Sequence, residues 1–317
     1  MTRLAPSPTG QLHLGNALTF VVNWALARRL GWRVVLRIED LDAGRVREGA
    51  DQGAVDVLRW LGLDWDEGPV KQSDDLSPYR EALERLRDAG LLYPCRATRK
   101  EIAASASAPH ASDGETRYPG LSRPTEGRYR VTEGTPPVLA DDAFAWRVMV
   151  PSGAVDFVDQ VLGPQSVDVQ EQVGDFVLAT KAGLPAYQLA VVVDDARQGV
   201  TDVVRGDDLL MSTPRQMVLY RLLGLGDVPR HWHLPLVYGP DGRRMAKRHD
   251  SVRLTTHMDA GVPGERVVGL LAKWAGLTDK LEPMSARDFA ERLNPERLVY
   301  DPPRYTEEDE QWLTDNK

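Results

Sequence analysis

Hydrophobic and polar positions along this chain change period several times, and each change marks an element. The run 17–30 holds Leu18, Val21, Val22, Ala25 and Leu26 and reads as a helix. Apolar residues recur at the same spacings of three and four over 46–61 and 76–89. Between those two, 62–69 is rich in chain breakers and reads as a loop. The β-branched run 32–38 reads as a strand and ends against Glu39, Asp40 and Asp42. In open α/β sheets ligands gather beyond the carboxyl ends of strands, so helix, strand and polar edge together predict half of a dinucleotide fold. A parallel sheet is expected to resume with 175–179 and with 187–193, a continuous apolar run of the buried-strand kind that again ends in carboxylates, Asp194 and Asp195. Segments 200–205 and 234–238 read as further strands. Ser212 is expected to cap a helix that carries Pro214 in its first turn and stops before Gly224.

The texture differs over 91–150. Residues 101–114 are Ala/Ser-rich without a core-forming period, and short strand-like pieces follow at 127–131 and 143–150. This segment reads as an insertion between two halves of a nucleotide fold. From Gly264 onward three helices are expected, at 265–275, 286–293 and 307–314. The fold class is therefore α/β, Rossmann-like. Residues 1–90 and 151–237 are the two halves, 91–150 an α+β insertion, and 238–317 a turn with a small helical domain.

Composition narrows the chemistry. A single cysteine, Cys95, excludes an intrachain disulfide and any multi-cysteine metal site. There is no apolar run long enough for a membrane span, and Met1 leads within two residues into the loop described next, so neither a span nor a signal peptide is expected. A cytoplasmic location is expected, and with it a monomer. The formal net charge of −8 opposes binding to nucleic acid unless positive charge gathers on one face. Arg243, Arg244, Lys247, Arg248 and His249 form such a cluster after the 239–242 turn, while Glu307, Glu308, Asp309 and Glu310 carry opposite charge near the end. Taken alone, the basic cluster reads as a solvated surface turn.

The loop 3–16 organises the rest. Pro6 and Pro8 stiffen it, Gly10 lets it turn, and it opens directly into the first helix. A stiff loop before a helix presents backbone N–H groups and the positive end of the dipole to a phosphate. His13 and Asn16, three apart, share the same side of that first turn. A turn followed by a helix-start histidine is the plainer reading of the same residues.

Arg3-Leu4-Ala5-Pro6-Ser7-Pro8-Thr9-Gly10, followed by His13-Leu14-Gly15-Asn16, resembles the nucleotide-binding signature of class I aminoacyl-tRNA synthetases of the glutamate and glutamine branch. Residues 244–248 resemble their second signature, Lys-Met-Ser-Lys-Ser. Met245 and Lys247 match it, Arg244 keeps the first charge, and Ala246 and Arg248 replace the serines. The resemblance implies activation of L-glutamate by ATP with Mg²⁺. His13, Gly15, Asn16, Arg244, Met245 and Lys247 would hold ATP. In this chemistry a carboxylate attacks the α-phosphate and pyrophosphate leaves, so fixed cations and donors must favour the transition state. His13 and Asn16 would serve the transferring phosphate and Lys247 the leaving group, as the catalytic set. Around glutamate, the resemblance implies Arg3, Tyr187 and Arg205 at the side-chain carboxylate and Ser7 and Glu39 at the ammonium group, with Leu4, Ala5 and Pro6 along the loop. Two arginines suit a bidentate carboxylate clamp. Read alone, Glu39 and Arg205 would be surface charges at strand ends.

Two departures shape the expectation. Relatives of this size carry zinc in the insertion on Cys-x-Cys and Tyr-x3-Cys; here those positions are Cys95, Ala97, Tyr118 and Ser122. One thiolate and a phenol cannot make a four-ligand structural site, so no zinc is expected. The large anticodon-binding region of full glutamyl-tRNA synthetases is also missing from the sequence. The resemblance is thus to truncated paralogues that activate glutamate without tRNA and attach it to queuosine in the anticodon loop of tRNA(Asp). The rivals are a truncated synthetase acting on tRNA(Glu), a non-catalytic RNA-binding paralogue, and a small-molecule adenylyltransferase.

Overall fold

The computed structural model describes residues 1–315 apart from 43, 45, 106–116, 126, 141–143, 240, 246–251 and 299. The chain opens with β1 (Thr2–Leu4), then α1 (Leu14–Leu30), β2 (Val34–Ile38), α2 (Ala50–Trp60) and β3 (Glu67–Lys71), with the strands parallel in the order β1-β2-β3. After α3 (Ser77–Asp88) come β4 (Leu92–Cys95), α4 (Arg99–Ser105) and β5 (Ala145–Val148). A hairpin of β6 (Ala154–Asp159) and β7 (Gly163–Asp168) follows, then α5 (Val169–Gln172) and β8 (Val177–Ala179). Next are α6 (Tyr187–Arg197), β9 (Asp202–Gly206), α7 (Ser212–Leu223) and β10 (Arg230–Leu234). The chain ends with α8 (Leu254–Asp259), α9 (Gly264–Trp274), α10 (Ala286–Arg292) and α11 (Glu307–Thr314).

A second sheet runs β7-β6-β10-β9, with β10 parallel to both β6 and β9. Its β9 lies beside β1 of the first sheet. The Thr201 and Asp202 N–H groups donate to Met1 O at 2.9 and 3.1 Å, and Arg3 Nη1 donates to Val204 O at 3.3 Å. Side by side, the parallel strands read β3-β2-β1-β9-β10-β6. That is the doubly wound order whose direction of winding reverses at the β1/β9 junction, where a crevice must open at the carboxyl ends. A third, antiparallel sheet, β4-β5-β8, stands apart.

α1 shows how the sequence builds one element. His13 and Asn16 close a capping box at its start, and Gly31 at φ 69° ends it with Arg28 and Arg29 in the last turn. The helix is buried on nearly every side, between β-strands and the C-terminal helices. Leu14, Leu18 and Leu26 share one buried cluster with Val267, Leu270 and Leu271 of α9, Phe289 of α10 and Leu313 of α11. Each such side chain contributes about 1.5–3 kcal/mol by leaving water. A second cluster gathers α3, β5, β8, α6 and α7. Among the described residues no helix is long and apolar enough to cross a membrane.

Several expectations are corrected. The run 187–193 is helical, within α6, because residues 189–193 are all buried and a helix covered all round carries the same continuous apolar run as a strand. Of 175–179 only Val177–Ala179 is extended, and it pairs antiparallel with β5; the parallel sheet resumes instead at β6, β9 and β10. The strand expected at 234–238 is β10, four residues earlier, and Pro235 follows its last residue. The end of the 62–69 loop belongs to β3, an edge strand that tolerates Pro69. Residues 127–131 form no strand among those described, and the helix expected from 46 begins at Ala50. Met211, not Ser212, is the cap position of α7; the Ser212 hydroxyl instead accepts from Gln188 Nε2 at 2.9 Å. The β6–β7 hairpin is not anticipated by the sequence reading at all.

Candidate functional site

A cleft of about 360 Å³ opens at the carboxyl ends of β1, β2 and β9, over the start of α1. Its wall includes Arg3, Ala5, Ser7, His13, Gly15, Asn16, Glu39, Tyr187, Arg205, Arg244 and Met245. Residues expected from widely separated stretches therefore converge. Leu4 and Pro6 are buried beneath the loop rather than on the wall, and Pro6 O accepts the Glu39 N–H at 3.1 Å, tying loop to strand end.

The first turn of α1 is built from reciprocal contacts. The Asn16 N–H donates to His13 Nδ1 at 3.3 Å and the His13 N–H donates to Asn16 Oδ1 at 3.1 Å. The imidazole lies over Gly15, where an added Cβ would stand 3.1 Å from both Cε1 and Nδ1. Chain returning from the basic turn fixes this loop from outside. The Leu254 N–H donates to Leu12 O at 3.0 Å, and Arg253 bridges His13 antiparallel. At the turn itself Gly242 takes φ 71°, the Gly239 N–H donates to Arg243 O at 2.8 Å, and the Met245 N–H donates to Val237 O at 2.9 Å. Arg244 pairs with Asp208 at 2.6 Å. Lys247, with Ala246, Arg248 and His249, lies outside the described residues.

Charge in the cleft is arranged by residues the sequence reading passed over. Arg37, the next-to-last residue of β2, is fully buried; it donates to Asp195 at 2.7 Å and Glu39 at 3.1 Å, and its Nε is 3.9 Å from Asp194. Arg3 Nε lies 3.4 Å from the same Asp195 oxygen. Burial pushes Glu39 above the usual carboxylate range although Arg37 and Arg3 pull it down, and burial does the same to Asp194 against Arg37, Gln72 and Tyr79. Asp194 and Asp195 thus sit on the inward side of a helix and not at a strand end. Arg205 donates to His233, Gln216 and Thr213. Asn23, also passed over, accepts from Thr2 Oγ1 and donates to Arg3 O, each at 2.8 Å, locking β1 to α1. A signal for two of these exists in the sequence. Arg37 and Asn23 are lone polar residues inside apolar runs, and a buried polar group demands a partner. Asp159, His233, Thr213 and Gln216 have no local signal.

The four positions that correspond to the relatives' zinc ligands come together but as a different object. Tyr118 Oη is 3.4 Å from Cys95 Sγ, Ser122 Oγ donates to that sulfur at 3.5 Å, and the Ser122 N–H donates to Tyr118 Oη at 2.8 Å. Ala97 packs beside them, and the Arg147 guanidinium lies 3.8 Å over the Tyr118 ring. One thiol with a phenol and a hydroxyl does not suit a structural zinc. Among the described residues no group of three or more His, Cys, Asp or Glu gathers to hold a metal ion.

A cleft walled by the guanidiniums of Arg3, Arg205 and Arg244, the carboxylates of Glu39 and Asp208 and a helix start suits a doubly acidic amino acid beside a polyphosphate. The family model for the catalytic domain of class I tRNA synthetases (E and Q) matches residues 1–308. The chain is similar to the glutamyl-Q tRNA(Asp) synthetase of Symbiobacterium thermophilum, 46% identical over 314 residues, covering 95% of this chain and 94% of that protein. It is also similar to the glutamate–tRNA ligase of Burkholderia thailandensis, 37% identical over 318 residues, covering 99% of this chain and 66% of that protein. In fold it resembles the solved glutamate tRNA ligase of Elizabethkingia meningosepticum, with a TM-score of 0.79 at 24% identity over 98% of this chain and 68% of that one. Fold, cleft and sequence agree, and the chain belongs to the class I tRNA synthetases of the E and Q type, matching their catalytic domain.

Proposed function

We propose that the protein activates L-glutamate with ATP, without tRNA, and transfers the glutamyl group to the queuosine base in the anticodon loop of tRNA(Asp). The observation that carries this is the convergence of Arg3, Glu39, Tyr187 and Arg205 beside the capped start of α1. In this reading Arg3, Tyr187 and Arg205 take the glutamate side chain, and Ser7 and Glu39 take its ammonium group. The backbone of Leu4, Ala5 and Pro6 shapes the floor. ATP lies over Gly15, between Met245 and Arg244 on one side and His13 and Asn16 on the other, and Mg²⁺ brought with it would supply positive charge against the phosphates. The α-carboxylate attacks the α-phosphorus, the bond to the bridging oxygen breaks, and pyrophosphate leaves. His13 and Asn16 stabilise charge on the transferring phosphate and Lys247 charge on the leaving group.

In this reading the insertion, 91–150, faces the RNA, and the segment 238–317 carries the basic turn that serves the phosphates. The choice of acceptor follows the relatives: the chain aligns with nearly all of a protein named for tRNA(Asp), and with two thirds of one named as a glutamate–tRNA ligase. Pyrophosphate exchange in the absence of tRNA tests the first step. Glutamate should support it while glutamine and aspartate support it poorly, since the clamp requires a carboxylate at full side-chain length. Equal rates with glutamine would overturn the pocket assignment.

A further inference from the structure

Arg205 is buried, and each direction of its guanidinium meets a neutral acceptor. Nε donates to His233 Nε2 at 3.0 Å, Nη1 to Gln216 Oε1 at 3.0 Å and Nη2 to Thr213 Oγ1 at 2.7 Å. Among the described residues no carboxylate lies within ion-pair reach of it. The first of these bonds restricts the chemistry of His233. Nε2 must carry a lone pair, so the ring proton must sit on Nδ1. There the ring meets Asp159: His233 Nδ1–H donates to Asp159 Oδ2 at 2.6 Å, and the His233 backbone N–H donates to Asp159 Oδ1 at 3.3 Å. Both side chains are fully buried. Asp159 is further fixed by the Val161 and Leu162 N–H groups at 3.0 and 2.9 Å. It stands at the end of β6, in register with β10.

We propose that Asp159 and His233 form a positioning dyad that fixes the imidazole tautomer and through it aims Arg205 at the substrate carboxylate. The inference rests on the reading of the cleft as a glutamate site. A carboxylate that orients a histidine so that its far nitrogen can accept is a known physical arrangement, and replacing it by the amide reverses the tautomer. The charge on Arg205 is left for the ligand, because Asp159 speaks to it only through a neutral ring. The groups facing His233 are Asp159 from β6, Arg205 from β9, Asp207 just beyond it, Thr213 from α7 and His231, stacked 6.1 Å away on its own strand. Burial, outweighing the Asp159 bond, keeps the ring below its ordinary range, so it is neutral at physiological pH. Acidification through that lowered value would put a proton on Nε2, opposite the Arg205 Nε–H, and loosen the clamp.

Two variants and one spectrum test this. Asp159→Asn keeps the oxygen that accepts the backbone N–H groups but favours a ring proton on Nε2. It should raise KM for glutamate about ten- to a hundredfold, the worth of a hydrogen bond to a charged group, with KM for ATP unchanged. His233→Gln supplies an amide oxygen near the position of Nε2. It should keep glutamate KM close to wild type at neutral pH and remove that part of the acid-side rise in KM which wild type owes to His233. Nitrogen NMR of the ligand-free protein should show His233 protonated on Nδ1 and bare on Nε2, and the reverse in Asp159→Asn. The dyad is refuted if Asp159→Asn leaves both KM values alone or raises them together, or if wild-type Nε2 carries the proton. A wild-type protein that binds no glutamate would instead defeat the functional reading, and the tautomer measurement would then decide the dyad by itself.

Discussion

At the scale of the residue, Gly15 separates stability from activity. A methyl there would press on the His13 ring at 3.1 Å, while alanine is the better helix former by about 1 kcal/mol. Gly15→Ala is therefore expected to melt at the same temperature or higher and yet to slow glutamyl-adenylate formation by up to about a hundredfold, through displacement of a group beside the phosphate. Thermal denaturation and pyrophosphate exchange on the same preparation would show the split, and unchanged exchange would mean that the ring's position is not used. Lys247→Ala should lower the same rate by roughly two to three orders of magnitude, the scale for removing one transition-state charge stabiliser. A near-normal rate would leave the basic turn as a surface feature.

At the scale of the element, Arg37 makes β2 depend on charge. It reaches Asp194, Asp195 and Glu39 from inside the sheet. Arg37→Met leaves those carboxylates buried without the guanidinium they share, at a cost of about 3–5 kcal/mol near neutral pH. Glu39 and Asp194 already lie above their ordinary range by burial, and removing Arg37 raises them further. A carboxyl whose folded pKa exceeds its unfolded one binds more protons when folded, so stability falls as pH rises between the two values. The variant should accordingly regain part of its loss on acidification toward about pH 5, and chemical denaturation at several pH values would show a deficit independent of pH if this account fails. Elements such as β2, α1 and α11 were legible in the sequence because their caps and spacings are local. α11 begins with Thr306 and Asp309 in a capping box, and its bounds match those expected. α6 was not legible because burial on every side erases periodicity, nor was the β6–β7 hairpin, whose strands carry more exposed than buried positions. The same distinction holds in the cleft. Residues inside a contiguous motif, such as His13 and Asn16, could be named in advance, whereas Asp159 and His233 meet only because β6 and β10 are neighbours, which no local pattern encodes.

At the scale of the whole molecule, the proposed function requires the acceptor to enter the crevice at the β1/β9 junction. A splayed anticodon loop is the kind of RNA element proteins read, and the cyclopentenediol of queuosine offers vicinal hydroxyls as a terminal ribose does. Labelled glutamate should therefore appear on tRNA(Asp) carrying queuosine and not on its guanosine form, and the label should survive periodate oxidation of the 3′ end. Label on tRNA(Glu) that vanishes on oxidation would transfer the protein to the other branch of its family. The crevice has a further property. Its first loop and the chain returning from the basic turn share the Leu254–Leu12 hydrogen bond and the Arg253–His13 bridge. They form one small bridged patch drawn from stretches far apart in the sequence, so an opening at one edge disturbs the other. Backbone amides then become reporters: the Leu254 N–H touches no nucleotide in the proposed pose, yet its exchange with deuterated solvent should slow when ATP binds, because opening this patch would require releasing the ligand.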